Sequence, residues 1–272
     1  MGRRLRRAGI GMMGQALRDI GTLFNFAYSD ALRLIRTAWW VIGLLLILVV
    51  AAAILGALVS TALHTALARE LVGTLASILG LWLAAPYFVS LYRLVLTNTL
   101  ERPESFRHSD IARHFFAWSA VLTFIISIPT IAYAALDTLP KATIEGADQP
   151  VNLTQTFATF VLLIAVWIFA TRAITLLPGA AMGRVATLRE ALAETRGRFW
   201  FIVGAVVAAV LPVVITSAII QALVAAALGD DFGFISQVIA VATVMFAAQL
   251  SISLSARLFQ KLAPEPAPPE AP

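Results

Sequence analysis

The run T-A-W-W-V-I-G-L-L-L-I-L-V-V-A-A-A-I-L-G-A-L-V-S-T-A-L-H-T-A-L-A (Thr37–Ala68) contains no Asp, Glu, Lys or Arg. A helix rises about 1.5 Å per residue, so roughly 20 residues cross a hydrocarbon core about 30 Å thick. Five more uncharged runs follow: Leu71–Tyr92, His114–Leu136, Gln149–Thr171, Phe199–Gly229 and Phe232–Ala256. The shortest has 22 residues, enough to span. Barrel strands would alternate apolar and polar over about ten residues. These runs are longer and apolar all round. In lipid every backbone polar group must be bonded internally, and helices achieve this within one segment. The pattern predicts an all-α integral membrane bundle of six transmembrane helices, over 39–63, 72–96, 115–136, 154–176, 199–226 and 234–257.

Composition agrees. The 272 residues are 60% hydrophobic and 13% charged, with mean hydropathy +0.88. A soluble domain carries about 25% charged residues. The pI near 10.2 would suit nucleic acid, but the placement of the charges excludes that partner. Eighteen of the twenty Lys and Arg fall before the first span, in alternate gaps, or after the last span. Two, Arg69 and Lys141, fall in the other gaps. The positive-inside rule then predicts cytoplasmic termini in a bacterial inner membrane. The basic face suits anionic headgroups, at roughly 1 kcal/mol per Lys or Arg near the surface. With no cysteine, disulfide and thiolate chemistry are excluded. The basic start runs into Gln15, Arg18 and Asp19, unlike a signal peptide.

Three segments are predicted: a basic arm and amphipathic helix over 1–37, the six-helix domain over 38–258, and a proline-rich cytoplasmic tail over 259–272. Residues 1–13 read as a flexible arm. From Leu17 the positions Leu17, Ile20, Phe24, Ala27, Ala31 and Ile35 follow helical spacing. That predicts either an interfacial amphipathic helix or a cap helix packed on the bundle. The gap Asp137–Asn152 and the turn Gly229–Gly233 connect spans on the outer side.

Repetition sharpens the pattern. Three run-ups, Ser29–Trp40, Ser109–Trp118 and Arg189–Trp200, precede the odd-numbered spans. Asp30, Asp110 and Glu190 recur at a spacing of 80. Each even-numbered span closes on an arginine: Arg93, Arg172 and Arg257. The chain therefore reads as three hairpin repeats, each introduced by a cytoplasmic interfacial helix, with Trp and Arg as anchors at the headgroup level.

The connector Arg172–Trp200 carries a resemblance. Arg172, Leu177, Pro178, Ala191, Thr195, Arg196, Gly197, Phe199 and Trp200 match a pattern of Arg, Leu-Pro-Ala, a helix with an Ala-Leu core, and Thr-Arg-Gly-x-Phe-Trp. Gly179 departs from it. The segment resembles a bacterial six-span family that includes the membrane domain of some glycerophosphoryl diester phosphodiesterases and stand-alone inner-membrane relatives. The resemblance implies a six-helix membrane domain and little chemistry. Those phosphodiesterases append a metal-dependent barrel with paired His and carboxylates. These 272 residues hold no counterpart, so that activity is not carried over.

The remaining signals bear on function. His64, His108 and His114 lack ligand spacing, and Asp137, Glu145 and Asp148 lack calcium-loop spacing. No metal or other cofactor is called for. The spans hold no central charge, which argues against a proton-coupled pathway. Gln221 and Gln249 need partners in lipid, and Pro129 and Pro212 kink their helices, either for packing or to open a midplane cavity. Small residues recur at every fourth position in Ala52–Gly56–Ser60, Ala76–Gly80–Ala84 and Ala247–Ser251–Ser255, so helices approach closely within the chain or between copies. The reading is a non-enzymatic protein of envelope or membrane homeostasis that binds membrane lipids, a protein partner or a second copy of itself. Its candidate residues are Arg93, Arg172, Pro178, Arg196, Gly197, Arg198, Trp200 and Arg257. A carrier or channel for a small neutral or lipid-like solute, built on Pro129, Pro212, Gln221 and Gln249, is the alternative.

Overall fold

The uncharged runs become helices because their backbone groups can be satisfied only locally in an apolar medium. The structure, a computed structural model, describes residues 2–136, 153–184, 187–228 and 232–263. In order, the elements are α1 (Gly2–Thr37), α2 (Trp39–Thr61), α3 (Ala66–Thr97), a 3₁₀ turn (Pro103–Phe106), α4 (Asp110–Leu136), α5 (Leu153–Arg172), α6 (Leu176–Ala181), α7 (Leu188–Glu194), α8 (Phe199–Leu228) and α9 (Phe232–Leu262). No strand occurs among the described residues. Among the described residues six helices, α2, α3, α4, α5, α8 and α9, are long and apolar enough to cross a membrane. They leave large apolar side chains uncovered: Leu58 is 65% exposed, Phe157 70% and Val244 67%. Water would not tolerate so extensive an apolar surface. The chain is a multi-pass membrane protein.

The element boundaries show where lipid ceases to decide. α3 begins six residues before the expected start and takes in Arg69 and Glu70. α9 runs on to Leu262 through Arg257 and Lys261. α5 stops at Arg172, short of the expected 176. Pro178 brings no N–H to the carbonyl of Ile174, so the ladder breaks there. Pro178 then sits in the first turn of α6, where its missing donor costs nothing. The expected connector 137–152 and the tail from Pro264 lie outside the described residues, as do Gly229–Asp231 of the expected turn.

The chain divides into two compact units. One comprises Met1–Trp39, Ser90–Glu101 and Thr187–Pro272. In it α1 packs along α8 and α9. Helical spacing turns Leu23, Ala27, Ala31 and Leu34 inward, all buried, whereas Leu17 and Ile35 are exposed. The C-terminal half of α9 is buried over most of its surface, at Gln249 and Leu250, Ile252–Ala256 and Leu258, with Ser251 and Gln260 exposed.

The other unit comprises Trp40–Val89 and Arg102–Ala186. Here two of the small-residue rows meet. A Cβ on Gly80 would lie 3.1 Å from Ala52 Cβ, and one on Gly56 would lie 3.5 Å from Ala76 Cβ. The rising number on one helix against the falling number on the other makes α2 and α3 an antiparallel pair at close range. α4 packs on α5 and α6. Gln155, 3% exposed, donates from Nε2 to the carbonyl of Tyr133 at 2.7 Å, in the last turn of α4, where carbonyls lack helical partners. Phe88 stacks on Phe115 with centroids 6.3 Å apart.

The three run-ups fold in three ways. Ser29–Thr37 is the continuous end of α1, with Ala38 as the only break before α2. Ser109 caps α4, its Oγ accepting from Ala112 N at 3.2 Å, and the helix then runs unbroken to Leu136. Arg189–Glu194 lies in a separate helix, α7, that Gly197 turns into α8.

Candidate functional site

The first unit gathers charge where α3 ends. The last carbonyls of a helix have no partners of their own, and its C-terminus favours cations. Asn98 adopts φ 61°, the left-handed conformation that terminates helices. The Arg33 guanidinium donates to Asn98 Oδ1 and to the carbonyl of Leu94 at 2.8 Å. Gln260 Nε2 reaches the carbonyl of Leu96 at 3.5 Å. Arg93 Nη1 meets both carboxylate oxygens of Glu101 at 2.8 and 3.0 Å. Tyr92 and Ser255 join hydroxyls at 3.0 Å.

Asp30 lies beside this cluster on α1. Its side chain is 7% exposed, and Arg257 Nε donates to its Oδ2 at 2.6 Å. Arg33 Nη2 is 3.8 Å from its other oxygen. A carboxylate can occupy the buried stripe of α1 because a guanidinium from α9 compensates it. Arg257 also lies over the Phe26 ring, 5.3 Å from its centroid. Farther along, Lys261 pairs with Asp19 at 2.7 Å. Arg257, expected as a headgroup anchor, thus ties α9 to α1, and Arg93, expected in the same role, ties the end of α3 to the loop that follows it.

The arginines before α8 are arranged differently. Thr187 and Glu190 close a capping box on α7, at 3.3 and 3.0 Å. Buried Thr195 donates to the Ala191 carbonyl at 2.9 Å, and Gly197 takes φ +74°. Glycine, with no Cβ, adopts that conformation freely. The turn leaves Arg196, Gly197 and Arg198 exposed and Trp200 79% exposed. Neither Arg196 nor Arg198 has a side-chain partner among the described residues. Trp200 meets Phe199 edge-on at 5.2 Å.

The polar positions in the spans of this unit group around Pro212. The proline ring crowds the preceding turn. In that turn the carbonyl of Ala209 accepts from Tyr28 Oη of α1 at 2.9 Å. Burial raises the Tyr28 pKa from its ordinary value. A cavity of about 470 Å³ opens there, with Tyr28, Pro212, Ser217, Thr243 and Phe246 in its wall. Gln221 donates to Ser217 Oγ at 3.1 Å, and Ser217 and Thr243 join hydroxyls at 2.9 Å across α8 and α9. Gln249 is buried at 3% exposure, and its Oε1 has no hydrogen-bond partner among the described residues.

Arg172, Pro178 and Pro129 belong to the other unit. Arg172 ends α5, half-buried. Pro178 is buried in α6, which closes on Gly183 (φ +75°) with Arg184 N bonded to the Gly179 carbonyl at 3.1 Å and Gly183 N to that of Ala180 at 3.0 Å. These two bonds form a Schellman motif. The Leu-Pro-Gly stretch is thereby accounted for as a compact helical knot. Pro129 lines a cavity of about 390 Å³ with Glu70, Thr130, Tyr133 and Thr159.

Sequence reading missed the partners that give the arginines their roles: Asn98, Glu101 and Gln260. Asp30 was visible as a repeat position, but nothing local announced its pairing 227 residues away. Comparison with protein-family models, curated proteins and solved structures gives no match.

Proposed function

We propose that the chain is a non-enzymatic protein of a bacterial inner membrane that binds anionic phospholipid, with both termini cytoplasmic, in the service of envelope or membrane homeostasis. The observation that carries this reading is the exposed group Arg196, Arg198 and Trp200, in which neither arginine has a side-chain partner among the described residues. Tryptophan favours the headgroup level and arginine the phosphates there. The eighteen-to-two division of basic residues supports the orientation. The 80-residue spacings and the paired Asp30–Arg33 and Asp110–Arg113, each three residues apart, support three hairpin repeats. The Arg172–Trp200 resemblance supports kinship with the six-span membrane domains of glycerophosphoryl diester phosphodiesterases.

The test replaces Arg172, Arg196 and Arg198 by Gln and counts the phosphatidylglycerol and protein partners retained in mild detergent. Retention should fall. Unchanged lipid and partner recovery would remove the proposal.

A second reading has its own support. The cavities at Pro212 and Pro129 suit a carrier for a small neutral or lipid-like solute. Proteoliposomes that move such solutes no faster than empty vesicles would argue against it.

A further inference from the structure

A cavity of about 320 Å³ in the second unit combines opposite charges with an apolar wall. It lies between α3 and the 3₁₀ turn Pro103–Phe106. Leu48, Trp82, Leu83 and Pro86 line it with apolar surface. Tyr87, Glu104 and Arg107 bring polar groups to it. Its volume falls at the small end of the range for ligand pockets, about 300–1,000 Å³.

The turn is built to hold these charges in place. Pro103 and Phe106 are buried, and Arg107 N bonds to the Glu104 carbonyl at 3.3 Å. Glu104 and Arg107 stand three residues apart, a spacing that often pairs side chains. Yet their side chains make no ion pair with each other or with any other described residue. Both line the cavity instead. A further acceptor comes from the backbone. Pro86 offers no N–H to the carbonyl of Trp82, four residues earlier, so that oxygen lacks its helical donor. The cavity therefore presents one cation, one anion and a phenol beside aromatic and aliphatic surface, and the Trp82 carbonyl, without the donor that Pro86 lacks, belongs to one of its lining residues.

We propose that this cavity binds the headgroup of a zwitterionic aminophospholipid. Arg107 takes the phosphate, and Glu104 with the Trp82 carbonyl takes the ammonium. Leu48 and Leu83 continue as the surface on which the acyl chains lie. The charges complement a zwitterion and leave no net charge for an anionic lipid. A primary ammonium supplies N–H donors for both acceptors, whereas a trimethylammonium supplies none. The proposal goes beyond the arginine face before α8 and stands even if that face binds nothing.

Native mass spectrometry of the full chain with equimolar phosphatidylethanolamine, phosphatidylcholine and phosphatidylglycerol tests it. A charge-assisted hydrogen bond gained or lost corresponds to about tenfold in affinity. The wild-type protein should prefer phosphatidylethanolamine to phosphatidylcholine by about that factor, with N-methylated intermediates falling between. This comparison needs no variant. Glu104→Gln should abolish the preference, and Arg107→Gln should weaken both zwitterionic lipids. Glycerophosphoethanolamine at equal concentration should not compete, because it lacks acyl chains. Equal binding of the two zwitterions by wild type, or an undiminished preference in folded Glu104→Gln, overturns the proposal. So does displacement by the soluble headgroup, which would make the site one for a free phosphoester.

Discussion

Replacing Asp30 by Asn keeps the size and hydrogen-bonding shape of the side chain but removes its charge. Arg257 Nε then faces a neutral acceptor at a site where it donated to a carboxylate at 2.6 Å. Breaking a fully buried ion pair by removing one partner costs about 3–5 kcal/mol. An exposed pair contributes about 0–1 kcal/mol. Here the Asp30 side chain is 7% exposed and that of Arg257 25%, so the cost lies between, at about 2 kcal/mol. Arg33, 36% exposed and 3.8 Å away, contributes the smaller share. Equilibrium unfolding in mixed detergent should be measured for Asp30→Asn, Arg257→Gln and the double variant. Arg257→Gln also loses the Phe26 contact and the 3.0 Å bond to Gln260, so its own cost does not isolate the pair. The cycle does. It should give a coupling energy of about 1.5 kcal/mol or more, within the range for groups in contact. Costs that add to within about 0.5 kcal/mol would refute the claim that this arginine is fastened to α1.

Two further substitutions probe the backbone. Gly80→Leu should force α2 from α3, because even a Cβ meets Ala52 at 3.1 Å; overpacking of this kind costs about 1–3 kcal/mol, whereas Gly73→Ala, with nothing within 4 Å, should be neutral or stabilising in the same unfolding assay. Gly197→Ala places a side chain at φ +74° and should cost about 1–2 kcal/mol in stability, even though the position is open to solvent.

The spans were legible because the requirement they answer is local. A run without charge either finds lipid or exposes apolar surface to water, and Thr37–Ala68 or Phe199–Gly229 leaves no other choice. The small-residue rows were legible for a similar reason: Ala52, Gly56, Ala76 and Gly80 repeat at helical spacing. Their partner was not, since the same spacing serves a neighbour within the chain or in a second copy. Charge at the ends of helices was read by its position and spacing, as anchors to headgroups, without its partners. Arg93, Arg257 and Arg196 carry the same charge near the same kind of boundary, yet Arg93 and Arg257 meet Glu101 and Asp30 whereas the Arg196 side chain has no partner among the described residues. That difference comes from tertiary contacts, which are absent from composition and spacing. The end of α5 shows the converse. Pro178 stood in view, but its effect falls one turn upstream, at Ile174, where no residue breaks a helix by itself.

The central claim is that the arginines divide into those that hold helices and those that face lipid. Phosphatidylglycerol retained per chain, counted by native mass spectrometry, tests it most directly in wild type, Arg196→Gln/Arg198→Gln and Asp30→Asn. At roughly 1 kcal/mol per arginine, the double variant should lose affinity by about 10- to 30-fold. Asp30→Asn, destabilised but with every arginine intact, should retain the wild-type count. Equal retention in the double variant and wild type, or an equal loss in Asp30→Asn, would contradict the division.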